Sequence, residues 1–423
     1  MKVREDMLKQ IEGSHAIAEA VALCRPEVIS AYPITPQTHI VETLSEIVRE
    51  GKLGSCQFIN VESEFAAMSA AIGASATGAR AYTASSSQGL LFMAEAIYNA
   101  SGLGLPIVMT VGNRAIGAPI NIWNDHSDSM ALANCGWIQL FAESNQEAAD
   151  LHIQAFRLAE ALSVPVMVCV DGFILTHAYE RVDIPDQSAV DTYLPLFEPM
   201  QVLDPADPVS IGAMVGPEAF MEVRYLAHHK QLQALEVIPK LAAEFSEAFG
   251  RTSGGLIGAY RTEGARTIVV ALGSVNGTIK DLVDEFRDNG EAVGAVKIVS
   301  FRPFPLGELR EALTGADRVV VVEKDLALGL GGIVASNVRM ALRGLTTPVY
   351  TVIAGLGGRA ITKASLARVL VEAMADKIDD PHFLDLNWPV IDQELARSRE
   401  TRRSGPIAEN ILRRMGLVGH KVG

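Results

Sequence analysis

Arg114 stands in an otherwise apolar loop, Asn113-Arg114-Ala115-Ile116-Gly117-Ala118-Pro119-Ile120-Asn121. A guanidinium in such surroundings needs an anionic partner, which is either a structural carboxylate or the carboxylate of a bound small molecule gripped by two N–H groups. Glu62 and Glu64 precede the Gly/Ala-rich stretch AAMSAAIGASATG. They suit the positive end of a helix. Because small residues admit close approach, they also suit a carboxylate turned toward a ligand. Ser85-Ser86-Ser87-Gln88-Gly89 can start a helix and either cap it or offer its N–H groups to an anion. Thr35, in Pro33-Ile34-Thr35-Pro36, is either part of a rigid turn or a hydroxyl donor held by one. Asp125, His126 and Asp128 are residue types that bind metals, but they are too few at defined spacing to make a ligand set.

These residues share one property: each follows a predicted strand. Apolar runs such as VMTV and VMVCV read as strands buried on both faces, and they alternate with helix-period stretches. The pattern predicts strands over 28–34, 56–61, 80–84, 106–111 and 165–170, and helices over 13–24, 37–50, 63–76, 88–100 and 145–162. Alternation of this kind implies right-handed crossovers and a parallel sheet, whose ligands bind beyond the carboxyl ends of the strands. From Asp183 to Arg251 prolines interrupt any regular element until a helical stretch over 218–249, which reads as a crossover. A second alternating block follows, with strands at 267–272, 295–301, 318–323 and 349–353. Residues 376–423 read as an extended arm over a neighbour.

Composition excludes several classes. The 423 residues are 49% hydrophobic and 20% charged, so the chain is not disordered. Its formal charge of −14 argues against nucleic-acid binding. It has no apolar run long enough to span a membrane, and MKVREDMLKQIEG lacks the apolar core of a secretory signal. A cytoplasmic protein is expected, with part of its apolar surface covered by other subunits. Cys24, Cys56, Cys135 and Cys169 are widely spaced and read as buried free thiols, unable to hold a cluster or a zinc ion by themselves. Glycine fingerprints for nicotinamide binding, P-loops and α/β-hydrolases are absent.

The strings AYPITPQTHIVETLSE, VESEFAAMSAAIGASATGAR, SSSQGLLFMAEA, NRAIGAPINIWNDHSD, GWIQLFAESNQEA and VDGFILTH, with VKIVSFRPFP and VVVVEKDLALGLGGIVASNVR further on, resemble the alpha subunit of the 2-oxoacid:ferredoxin oxidoreductases of the pyruvate:ferredoxin oxidoreductase type. The resemblance implies an α/β fold. A pyrimidine-binding thiamine-enzyme domain with its crossover would occupy 1–250, a transketolase C-terminal-like domain 251–375, and an arm 376–423. It implies CoA-dependent oxidative decarboxylation of a 2-oxo acid, with electrons passing to iron–sulfur clusters. Glu64 would hydrogen-bond the aminopyrimidine of thiamine diphosphate, with Pro33, Ile34, Ser87 and Gln88 around it. Arg114 would hold the substrate carboxylate and Thr35 would donate near the reacting carbon, with Gly117 beside them.

Two departures shape this reading. The G-D-G…N-N signature for the diphosphate and Mg²⁺ is missing, and so are cysteine quartets for 4Fe–4S clusters. A beta subunit is therefore implied for the first, and a ferredoxin-like delta subunit for the second. A gamma subunit completes the set, and ferredoxin or a flavin/NAD subunit is the acceptor. Members acting on pyruvate tend to carry Leu-Ser where this chain has Ile116-Gly117. Room beside Gly117 suggests a larger acid, such as phenylglyoxylate. The rival readings are a subunit of a lipoamide-linked 2-oxoacid dehydrogenase and a non-catalytic scaffold.

Overall fold

The computed structural model describes residues 8–400 and 406–418, so most of the charged N-terminal stretch and part of the arm lie outside the described residues. Two sheets carry the architecture. The larger has the strand order Ser300–Arg302, Ile138–Phe141, Val166–Asp171, Val108–Asn113, Ala81–Ser85, Val28–Ala31, Gln57–Asn60. All neighbours are parallel except the first pair. The smaller has the order His382–Phe383, Val349–Ile353, Arg318–Glu323, Thr267–Ala271, Val293–Ile298, Ile257–Tyr260, with only the last strand antiparallel.

The helix Asn145–Leu162 forms over the predicted residues. Its Ser144 hydroxyl accepts from Glu147 N at 3.2 Å, which satisfies one N–H of the first turn. Nearly all its residues are buried, because it lies between the larger sheet and the helices Gly13–Leu23 and Phe220–Phe249. The four cysteines are free and buried. Burial pushes the thiols up, Cys56 to about 11 and Cys135 to about 12, so neither is a thiolate at neutral pH.

Several elements depart from the sequence pattern. The predicted strand over 295–301 divides at Val299. Residues Val293–Ile298 stay in the smaller sheet, and Ser300–Arg302 crosses to pair antiparallel with Ile138–Phe141 of the larger one. The helical stretch over 88–100 breaks at Met93 into Ser87–Phe92 and Ala94–Gly102. The two-stranded pair Leu8–Glu12 with Tyr179–Asp183 carries mixed polar residues and no apolar run. Among the described residues of 376–418 the expected extended arm is instead built of regular elements: His382–Phe383 adds to the smaller sheet, and Trp388–Glu400 and Ile407–Arg414 are helices. Among the described residues no helix is long and apolar enough to cross a membrane.

Candidate active site

Strand order reverses beside Val28–Ala31: the next strand in sequence, Gln57–Asn60, lies on one side of it and Ala81–Ser85 on the other. A reversal of this kind opens a crevice at the carboxyl ends of the strands. The connections there are 32–37, 61–63, residue 86 and 114–126, and with the helix starts that follow them they bring Thr35, Glu64, Ser87, Gln88 and Arg114 to one end of the sheet.

Arg114 is 7% exposed. Its Nε donates to Asn121 O at 3.0 Å and its Nη1 to Thr35 O at 2.9 Å, and Nη2 has no hydrogen-bond partner among the described residues. No carboxylate pairs with the guanidinium, so the structural salt bridge is not what holds it. Burial lowers its pKa, partly offset by the nearby charge of Asp128. A cation oriented by two backbone carbonyls and left with free N–H groups is an anion receptor. Thr35 is exposed, and its hydroxyl makes no hydrogen bond among the described residues.

Glu64 begins the helix Glu64–Ala76 behind its Ser63 cap and is 7% exposed. Its carboxylate has no hydrogen-bond partner among the described residues. It rests against Gly89, where a Cβ would sit 2.7 Å from Glu64 Oε1 and 2.5 Å from Ser85 Oγ. The Ser85 and Ser86 hydroxyls are buried without partners. A buried carboxylate beside unspent hydroxyls is costly unless a donor arrives from outside.

The serine turn is organised by Asp128. This fully buried carboxylate accepts from Ser87 N at 2.9 Å, Arg114 N at 3.0 Å and Asn113 Nδ2 at 2.8 Å. Burial outweighs these bonds and pushes its pKa up to about 6. The anion seat foreseen at the serine turn is thus filled by the chain's own aspartate. Ser87 is fully buried, and its hydroxyl bonds Ala115 O and the Gln88 side chain. Asp125, His126 and Asp128 do not converge on a metal. Asp125 accepts from Ser127 N and Gly357 N, both at 3.0 Å, and His126 Nε2 pairs with Asp171 at 2.7 Å. A separate trio, Glu12, His39 and His177, gathers nearby around a His39–Glu12 contact of 2.6 Å.

Lys324, not among the residues expected from the sequence, follows the smaller sheet's strand Arg318–Glu323 and is 3% exposed. Its Nζ lies 2.6 Å from Asp171 Oδ2, and Asp171 also accepts from Ser274 N at 2.9 Å. Burial raises the Asp171 pKa, but Lys324 and His126 outweigh it and hold the carboxyl well below the usual range. His126 N donates to Lys324 O at 2.7 Å, and Asn121 Nδ2 donates to Gly357 O at 3.1 Å. The smaller sheet thereby braces the loop that carries Arg114. A buried cation following an apolar strand, VVVVEK, was the signal available.

The space beside Gly117 is occupied by the far end of the half-buried Gln88 side chain: a Cβ on Gly117 would lie 2.6 Å from Gln88 Nε2. Pro33 is exposed and Ile34 half-buried at the mouth. Around it stand exposed apolar side chains, including Ile120 at 79% and Trp123 at 52%.

Sheets and crossovers define the class: an α/β chain built on two largely parallel sheets, the first of them within a match to a thiamine-diphosphate-binding family. Residues 19–243 match the family described as pyruvate flavodoxin/ferredoxin oxidoreductase, thiamine diP-bdg, and residues 265–366 match pyruvate:ferredoxin oxidoreductase core domain II. The chain belongs to the pyruvate:ferredoxin oxidoreductase family. It is 48% identical over 385 residues to pyruvate synthase subunit PorA of Methanosarcina barkeri, covering 89% of this chain and 96% of that one. It is 39% identical over 374 residues to ketoisovalerate oxidoreductase subunit VorA of Pyrococcus abyssi, covering 88% and 94%. The 2-oxoglutarate:ferredoxin oxidoreductase of Magnetococcus marinus, solved with 2-oxoglutarate, coenzyme A and succinyl-CoA bound, shares the fold at a TM-score of 0.67 and 18% identity, over 86% of this chain and 65% of that one. A split-gene transketolase shares it at a TM-score of 0.51 and 15% identity, over 87% and 99%. None of these relatives is named for an aromatic 2-oxo acid.

Proposed function

We propose that this chain is one half of the active site of a pyruvate synthase-type 2-oxoacid:ferredoxin oxidoreductase. The observation that carries the reading is the pair of unspent groups at the switch point: the partnerless buried carboxylate of Glu64 and the free Nη2 face of Arg114. Glu64 fits the aminopyrimidine of thiamine diphosphate, because a dry carboxylate without a donor accepts a ring N–H there. Ser85 stands beside Glu64 around Gly89, and Pro33, Ile34, Ser87 and Gln88 would line the rest of the cofactor's seat. Arg114 fits the carboxylate of a 2-oxo acid, and the open hydroxyl of Thr35 fits its carbonyl oxygen.

When bound, thiamine diphosphate supplies the nucleophilic carbon and the electron sink. This chain's work is positioning. Glu64 holds a proton at the pyrimidine ring, Arg114 fixes the carboxylate, and the Gly117–Gln88 contact limits the acyl side. Pyruvate is the substrate this limit favours. The diphosphate, Mg²⁺ and 4Fe–4S clusters belong to beta and delta subunits, with a gamma subunit, CoA as acyl acceptor and ferredoxin as electron acceptor. The exposed Ile120 and Trp123 fit coverage by the beta subunit. The test is an assay of the purified complex with pyruvate, 3-methyl-2-oxobutanoate and phenylglyoxylate, with CoA and a viologen dye. The highest kcat/KM on pyruvate is expected, and CoA-independent turnover or no turnover would overturn the reading.

A further inference from the structure

Beneath the helix Phe220–Phe249, in a part of the molecule that shares no residue with the Glu64–Arg114 site, lies a pocket of about 610 Å³. That is the size of a small-molecule site. Its apolar lining includes Trp137, Leu235 and Phe304, and its charged lining consists of Arg224, Lys230 and Arg302, with His228 beside them. No aspartate or glutamate lines it, although the chain has 50 of them against 36 lysines and arginines.

The cations there are unusual in having no anion. Lys230 Nζ reaches only the Ser163 carbonyl, at 3.3 Å. Arg302 donates to Ala133 O at 2.9 Å, Phe301 O at 2.8 Å and Asn337 Oδ1 at 3.3 Å, all uncharged. Among the described residues none of the three lies within ion-pair distance of a carboxylate. Burial lowers the pKa of both Lys230 and Arg302, the direction expected of cations that lack counter-charge. Half-buried Lys230 and Arg302 over an apolar floor, with exposed Arg224 at the rim, call for an anion from outside in a strongly acidic protein.

We propose that this pocket binds a small organic anion, a carboxylate or phosphate ester with an apolar body that lies against Leu235 and Phe304. Occupancy would bear on Arg302, which sits in the strand Ser300–Arg302 that ties the second half of the chain to the larger sheet. The site would therefore strengthen the joint between the two sheets.

The test uses the intact multi-subunit complex and the fluorescent anion anilinonaphthalene sulfonate, with octanoate, octyl phosphate and neutral 1-octanol as competitors. One saturable site per chain is expected, displaced at least tenfold better by the two anions than by the alcohol. The stronger of the two anions identifies the head group. Lys230→Glu should weaken probe binding at least tenfold while leaving turnover unchanged, and Lys230→Met, checked for an unaltered melting temperature, guards against misfolding. Absence of a saturable site, equal competition by 1-octanol, or unchanged probe binding in folded Lys230 variants would each overturn the proposal.

Discussion

Arg114 and Thr35, far apart in sequence, meet at the carboxyl end of the larger sheet, where the guanidinium Nη1 donates to the Thr35 carbonyl at 2.9 Å. The bond turns a flexible cation into an oriented one, with Nη2 left for a ligand. Asp128 completes the arrangement from behind by accepting from the Arg114 backbone at 3.0 Å.

Arg114→Lys should raise KM for the 2-oxo acid by about 10–100-fold, the size of one charged hydrogen bond at about 1.5–3 kcal/mol. Lysine keeps the charge but cannot bond Asn121 O and Thr35 O while facing a carboxylate. Steady-state kinetics of the complex checks this; an unchanged KM would remove Arg114 from substrate binding.

Gly89→Ala should cut kcat by at least tenfold while the chain stays folded. Its methyl would lie 2.7 Å from Glu64 Oε1 and 2.5 Å from Ser85 Oγ, so the carboxylate must move. Full kcat in a folded variant would show that the position of Glu64 does not matter.

Lys324→Met leaves Asp171 buried without its nearest counter-charge, and a loss of about 3–5 kcal/mol is expected at neutral pH. Asp171 is held below its ordinary value of 3.8, so its stabilising share is full above that pH and is lost as pH falls through the folded value. In the variant the carboxyl rises and is protonated at higher pH. The melting-temperature gap between the two proteins should therefore be widest near pH 7 and narrow as pH falls toward 4. A gap independent of pH would rule out the charge pair as its cause.

Long apolar strands such as Val166–Asp171 and the helix Asn145–Leu162 were legible because burial on both faces, or on nearly every side, leaves an uninterrupted pattern. Ile138–Phe141 is not legible because buried Gln139 interrupts its run, and the Gln139 amide N–H finds its acceptor only in three dimensions, donating to Ser129 O at 2.9 Å. Glu64, Arg114 and Thr35 could be picked out as candidates because each lies within a few residues of the carboxyl end of a strand. Asp128, Asp171 and Lys324 were not singled out as site supports, since their partners come from distant segments and, for Lys324, from the other sheet. The surroundings of Gly117 are hidden for the same reason: the amide beside it belongs to Gln88, in the first turn of the helix Ser87–Phe92.

The most direct measurement of the central claim is kcat of the complex carrying Glu64→Gln, with subunit composition and melting temperature matched to the parent. A glutamine fills the same volume but cannot hold the proton at the ring, so a fall of about 10²–10⁴-fold is expected. Full turnover would make this chain a scaffold and contradict the account of it as half of a divided active site.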